Sequence, residues 1–353
     1  VLYSEFIFFA FFLVLHNCEE KKLPIFNLKF NILDHPTWFF GVLGLSLGVG
    51  AIRLASWWFW TPHFQGLSQS AFTADRTLPQ TLEQHWIISA KEAKTFLDQG
   101  ATLLDTRSLK ILRSKPLKNA VFVRWQNFSM TRLPHRGKLL SDAKILTQKL
   151  QSLGISKERP VIVYGNPKTG WGEEGRIVWM LRSFGHSQAV WVDGGYDALV
   201  AAGIPLEKSK KYSPPQGDFK IQHRSDWTLD QAQLNSRLDD NNLVMIDSRE
   251  LREYNGKTPY GEQRGGHIPG AIHLHYRELL DANGFLLSRQ EILEKLVQNG
   301  IKLDREIVSY CTGGVRSAWL TSVLVDLGLT AKNYPGSMWE WSAAPAQAYP
   351  LEK

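Results

Sequence analysis

Cysteine is nearly absent from this chain: there are two, Cys18 and Cys311, in 353 residues. They lie far apart in segments of different kind. A disulfide within the globular part is therefore excluded, as are zinc sites of the cysteine-rich kind. No metal and no cofactor are expected. Single-sign charge runs are scarce too. The net charge is +7, yet basic residues are scattered among acids, and the strongest cluster is Lys208-Ser209-Lys210-Lys211. No nucleic-acid partner is expected from that pattern. A mildly basic protein is better suited to small anionic substrates. With 43% apolar and 21% charged residues, the composition is globular, and the length leaves room for two domains.

Long apolar runs are few. Phe6 to Leu15 is too short to span a bilayer. Trp38 to Trp60 holds 23 residues, which as a helix would reach about 34 Å. Trp38, Trp57, Trp58 and Trp60 stand at its ends, as in an aromatic belt. Residues 38–60 are thus expected to be a transmembrane anchor or signal segment, although Arg53 and four glycines count against a span. They follow an extension, 1–37, and precede a polar tether, 61–84. Lys21, Lys22 and Lys29 before the segment favour a globular part outside the cytoplasm, with a cytoplasmic location as the alternative.

The remainder repeats itself. Leu103-Leu104-Asp105-Thr106-Arg107 is matched by Val244-Met245-Ile246-Asp247-Ser248-Arg249. Val161-Ile162-Val163-Tyr164 is matched by Ile307-Val308-Ser309-Tyr310, and Val192-Asp193-Gly194-Gly195-Tyr196 by Tyr334-Pro335-Gly336-Ser337-Met338. Two copies of one domain are expected, at 85–205 and 226–350, joined by a linker at 206–225. Short apolar strands alternate with helical periodicity in each copy, which predicts α/β architecture with a parallel sheet.

One loop carries the chemistry. Val308 to Tyr310 reads as a buried strand, and a periodic apolar run closed by Gly328 reads as a helix. Between them lie Cys311-Thr312-Gly313-Gly314-Val315-Arg316-Ser317. Adjacent glycines let the loop turn its amides inward, and amides at a helix N-terminus form an anion site. A cysteine there is biased toward thiolate, from an ordinary pKa of about 8.5. The first copy has no cysteine, and Gly165 falls at the matching place. Its loop is also longer: Tyr164 to Gly185 spans 21 residues, against 18 from Tyr310 to Gly328. That copy is expected to wall and stiffen the cleft of the second.

These residues resemble the tandem rhodanese family, which includes thiosulfate and 3-mercaptopyruvate sulfurtransferases. The likeness covers about 85–350. It rests on Ile246-Asp247-Ser248-Arg249 with Arg252-Glu253-Tyr254, on Gly266-His267-Ile268-Pro269-Gly270-Ala271, on Tyr310 to Ser317, and on Tyr334-Pro335-Gly336-Ser337-Met338-Trp339. The resemblance implies two tandem rhodanese-like domains, each a parallel sheet flanked by helices, with sulfur carried as a persulfide on Cys311.

In the expected reaction Cys311 attacks the outer sulfur of a small anionic donor, thiosulfate or 3-mercaptopyruvate. Cyanide or a thiol then accepts that sulfur, in ping-pong order. Thr312, Gly313, Gly314, Val315 and Ser317 would cradle the persulfide, and Arg316 would close the loop and bind the donor. The resemblance implies that Arg252 reaches into the donor site. Asp247 and Arg249 are expected to brace the strand end, His267 to bond backbone in its turn, and Trp339, Glu340 and Trp341 to close the C-terminal packing, with lining of the pocket as the lesser alternative. Cysteine phosphatases space Cys and Arg by five residues. Here the spacing is four, a smaller ring that suits sulfur better than phosphate. The arginine favours thiosulfate as donor. A persulfide carrier or sulfide-sensing module with little turnover is the alternative of another class.

Overall fold

The computed structural model describes residues 82–108, 115–207 and 212–353. Two parallel sheets lie in one compact unit. The first holds β1 (Ile87–Ile88), β2 (Thr102–Asp105), β3 (Ala120–Phe122), β4 (Val161–Tyr164) and β5 (Ala189–Val192), in the order β1-β5-β4-β2-β3. The second holds β6 (Leu243–Asp247), β7 (Ile272–His273), β8 (Glu306–Tyr310) and β9 (Ala331–Asn333), in the order β7-β6-β8-β9. Continuous apolar strands such as Val161–Tyr164 are buried on both faces, as parallel strands between helices must be.

The central registers match: Asp105 pairs with Tyr164 in the first sheet and Asp247 with Tyr310 in the second. Each strand after that point leaves the sheet at its carboxyl end, where open α/β sheets hold ligands. Helix Glu173–Ser183 follows β4, and helix Val315–Asp326 follows β8. Both enter through a left-handed glycine, Gly172 at φ +78° and Gly314 at φ +77°.

These two helices pack against each other, and almost every residue of both is buried. Helix Val315–Asp326 is apolar on most sides, as an interior helix must be, whereas helix Glu173–Ser183 buries Glu174, Arg176 and Arg182 as well, and both arginines donate to backbone carbonyls. Trp319 fills the seam, with its ring centroid 5.5 Å from Trp191 and 5.6 Å from Tyr276. The indole of Trp191 donates to Ser322 Oγ at 2.8 Å. One apolar cluster consequently runs through both copies. The chain between the copies is tied down as well: the amides of Phe219, Gln222 and Arg224 donate to Ile155, Phe184 and Ser183 carbonyls.

Among the described residues no helix is long and apolar enough to cross a membrane. The expected anchoring, and the location outside the cytoplasm inferred from it, are corrected accordingly. Segment 38–60, on which they rested, lies outside the described residues, as do 1–37 and most of 61–84.

Candidate active site

Strand β8 delivers Cys311 to the mouth of helix Val315–Asp326. The tight loop between them needs both glycines. A Cβ on Gly313 would fall 2.1 Å from the Trp339 ring, and one on Gly314 would fall 2.6 Å from the Pro335 carbonyl oxygen. Freed of side chains, the loop folds back on its sulfur. The Gly314 amide donates to Cys311 Sγ at 3.1 Å, and Ser317 Oγ lies 3.5 Å from the same atom. The Cys311 amide is held by Ser337 Oγ at 3.1 Å, and its carbonyl accepts from the Met338 amide at 3.0 Å.

Cys311 is 1% exposed. Burial opposes ionisation of the thiol. The charge of Arg316, the Ser317 hydroxyl and amide, and the Gly313 amide outweigh it, so the pKa lies below the ordinary thiol value.

Arg316 does not stand free. Its two terminal nitrogens donate to Glu253 at 2.7 and 2.8 Å, and one also reaches Thr312 Oγ1 at 2.7 Å. Thr312 in turn donates to Glu253 at 2.7 Å. Burial works against both charges, but the pairing holds Glu253 below and Arg316 above their ordinary values. Arg316 therefore acts on the sulfur as a fixed, paired charge.

A cleft of about 290 Å³ opens over Cys311. Thr312, Gly313, Val315, Arg316, Tyr260 and Trp339 line one side. The first copy supplies the other, with Trp125, Gln126, Arg136, Trp171 and Glu173. Gly314 and Ser317 touch the sulfur without lining the cleft. Trp339 takes the lesser of its two expected places and forms part of this wall, and its indole donates to the Tyr260 carbonyl at 2.9 Å.

Arg252 is not brought to the cleft lining. Its Nε donates to Glu250 at 2.5 Å, and its Nη2 lies 3.3 Å from the Tyr260 hydroxyl. Asp247 and Arg249 form a buried bidentate pair with contacts of 2.6–3.0 Å, and Arg249 also donates to the Gly266 carbonyl at 2.7 Å. Asp105 and Arg107 repeat that pair in the first copy, with Arg107 Nη2 2.8 Å from Asp105 Oδ2. His267 meets the Tyr254 carbonyl at 3.2 Å and stacks on the Tyr254 ring.

The description of the rhodanese-like domain matches residues 89–202 and again 230–344. The chain belongs to the rhodanese-like family. A thiosulfate/3-mercaptopyruvate sulfurtransferase of Arabidopsis thaliana is 31% identical over 241 residues, 61% of this chain and 62% of the relative. A thiosulfate sulfurtransferase of Azotobacter vinelandii is 31% identical over 194 residues, 55% of this chain and 70% of the relative. The crystal structure of a 3-mercaptopyruvate sulfotransferase from Escherichia coli superposes with a TM-score of 0.62 at 24% identity, over 72% of this chain and 98% of that one, a likeness of fold.

Within this rhodanese site, sequence reasoning passed over the first copy's contribution. Arg176 is the clearest case. It is fully buried on helix Glu173–Ser183 and donates across the domain boundary to the Gly314 carbonyl at 2.9 Å. It also reaches Ser129 Oγ at 3.2 Å and the Gly137 carbonyl. Burial lowers its pKa to about 9, which leaves it charged at neutral pH, and the Cys311 thiolate favours that charge. Glu253 stood within a quoted motif, three residues before the turn residue Gly256, but its pairing spans 63 positions and no local pattern signals it.

Proposed function

We propose that the chain is a sulfurtransferase that moves a sulfane sulfur from thiosulfate to cyanide or a thiol through a Cys311 persulfide. The observation that carries this reading is the sulfur itself: a buried thiol held below its ordinary pKa, receiving a loop amide, at the floor of an open cleft. The names of the relatives support it.

In the first half-reaction the Cys311 thiolate attacks the outer sulfur of thiosulfate. A Cys311 S–S bond forms, the donor S–S bond breaks, and sulfite leaves with the electron pair. The new terminal sulfur would carry negative charge beside a loop whose Gly314 amide and Ser317 hydroxyl already face the Cys311 sulfur, the arrangement that favours a developing anion. In the second half-reaction an acceptor thiolate or cyanide takes that sulfur, and Cys311 leaves as thiolate. Arg316 stabilises the thiolate in both halves, while Glu253 and Thr312 fix its guanidinium. Asp247 and Arg249 hold the end of β6 beside the loop. The plant relative's name covers both donors, so 3-mercaptopyruvate is the second donor to assay.

Sulfite release from thiosulfate and pyruvate release from 3-mercaptopyruvate, measured on wild type and Cys311→Ala, test the proposal. Wild type is expected to turn over with thiosulfate, and the alanine variant to show none of that activity. Equal activity in the two would overturn the mechanism. A single sulfite burst with no sustained thiocyanate formation would favour the carrier reading.

A further inference from the structure

A dianionic donor entering this cleft meets an unfavourable charge balance. Arg316 is matched by Glu253, the Cys311 thiolate adds a negative charge, and buried Arg176, which faces that thiolate, has its terminal nitrogens spent on the Gly314 and Gly137 carbonyls and Ser129. Arg252 does not line the cleft but borders it through the Tyr260 hydroxyl, and its charge is paired with Glu250. Lys138 and His135, close by in the chain, both reach Glu340. Arg136 differs from all of these. It lines the cleft, its guanidinium carbon stands 4.8 Å from the centroid of the Trp339 ring, and no carboxylate is paired with it among the described residues. We propose that Arg136, carried by the cysteine-free first copy, binds the oxyanion end of the sulfur donor.

Its placement is built rather than accidental. The residues on either side are fixed: His135 Nδ1 lies 3.3 Å and Lys138 Nζ 2.5 Å from Glu340 Oε1. The Met130 amide donates to the Lys138 carbonyl at 2.7 Å, closing the loop that presents Arg136. Gly137 lies against the Cys311 loop so closely that a Cβ there would fall 2.3 Å from the Gly313 carbonyl oxygen. Arg176 binds the Gly137 carbonyl and the Gly314 carbonyl together, locking the Arg136 segment to the sulfur cradle. Arg136 is exposed, and among the described residues no hydrogen bond or ion pair holds its terminal nitrogens. A planar guanidinium suits two oxygens of a sulfonate or carboxylate.

This assignment rests on the sulfurtransferase reading and concerns its first half-reaction alone. Arg136 would bind the donor while Cys311 attacks the donor's other end, so its loss should act on donor binding and spare the acceptor step.

The test is persulfide loading of Cys311, read by intact mass against thiosulfate concentration, together with steady-state thiocyanate formation. Wild type is compared with Arg136→Ala, Arg136→Lys and Arg136→Glu. Loss of a charge-assisted contact should raise half-saturation for thiosulfate about 10- to 100-fold in the alanine variant. The glutamate variant should be weaker still, and the lysine variant should recover most of the difference. In every case kcat should stay within about threefold, and the KM for cyanide should not move. An alanine variant that loads with the wild-type thiosulfate dependence overturns the assignment. So does one that loses kcat with half-saturation unchanged. A wild type that never loads overturns the sulfurtransferase reading, and this assignment with it.

Discussion

The two loops that follow β4 and β8 begin alike and end oppositely. Each starts at a tyrosine whose carbonyl accepts from a hydroxyl of the neighbouring strand end, Thr106 at 3.0 Å and Ser248 at 2.9 Å. Each lies beside a buried Asp–Arg pair and enters its helix through a left-handed glycine. From Tyr310 to Gly314 is four residues, whereas from Tyr164 to Gly172 is eight. Counting from those glycines, Arg316 in the second copy is matched by Glu174 in the first. The charge beside the cradle is inverted, and the space is filled. A Cβ on Gly165 would fall 2.0 Å from Glu174 Oε2, so the carboxyl occupies the place where a cysteine side chain would begin. That oxygen is buried with no hydrogen-bond partner, and burial pushes the Glu174 pKa up to about 8. The two copies share a scaffold, but only the second has the cysteine and the arginine beside it. The first copy supplies Arg176 to the second loop and five residues to the cleft wall.

The sharpest way to break this comparison is to remove the cation that distinguishes the loops. Arg316→Ala should lower kcat/KM for thiosulfate by about 100-fold or more, as loss of a fixed charge in a water-poor site does. Its sign with pH is set by the thiol. Cys311 has a depressed pKa in the folded enzyme, so loading should persist as pH falls below the ordinary thiol range and fade only at the folded value. Without Arg316 that acid limb should move to higher pH. An unmoved limb in the pH–rate profile would show that the amides alone lower the pKa.

A smaller effect is expected from putting the missing nucleophile back. Gly165→Cys drives a side chain into Glu174 and should cost about 1–3 kcal/mol, the usual range for overpacking. No second sulfur should load, because the cradle there is filled and lacks an arginine. Urea unfolding and intact mass after thiosulfate treatment check both parts.

The smallest effect concerns Glu174. Its carboxyl has a folded pKa near 8 against an ordinary value of 4.5, so it is neutral at pH 7 and must ionise in a buried site above pH 8. A raised carboxyl pKa means stability is greatest at low pH and is lost as pH rises toward the folded value. Glu174→Gln removes that loss. Its Tm at pH 9 should exceed the wild type's by a few degrees, at about 2–4 °C per kcal/mol, with a narrower gap at pH 6. Equal Tm differences at both pH values would contradict the assignment.

How much of this was legible follows from distance along the chain. The strand ending at Tyr310, the glycine turn and the Asp247–Arg249 brace are local, and the repeat displayed each of them twice. Arg316 was legible as a residue but not as half of a pair, because Glu253 meets it from 63 positions upstream. Arg252 fits its motif by sequence; it is exposed, paired with Glu250 two residues away, and its Nη2 lies 3.3 Å from the hydroxyl of Tyr260, which lines the cleft. The cleft's far wall was illegible for a plainer reason. Trp125, Arg136 and Trp171 acquire their role only once helices Glu173–Ser183 and Val315–Asp326 have packed, and no periodicity encodes what faces what across that seam.

The central claim is that one of two related loops carries the sulfur. Peptide-resolved mass spectrometry after brief thiosulfate treatment tests it most directly, since the chain has only Cys18 and Cys311 to modify. The expected result is one added sulfur on the Cys311 peptide, none on the Cys18 peptide, and loss of the addition when cyanide is supplied. Sulfur on Cys18 alone, or on neither cysteine while sulfite is still released, would contradict it.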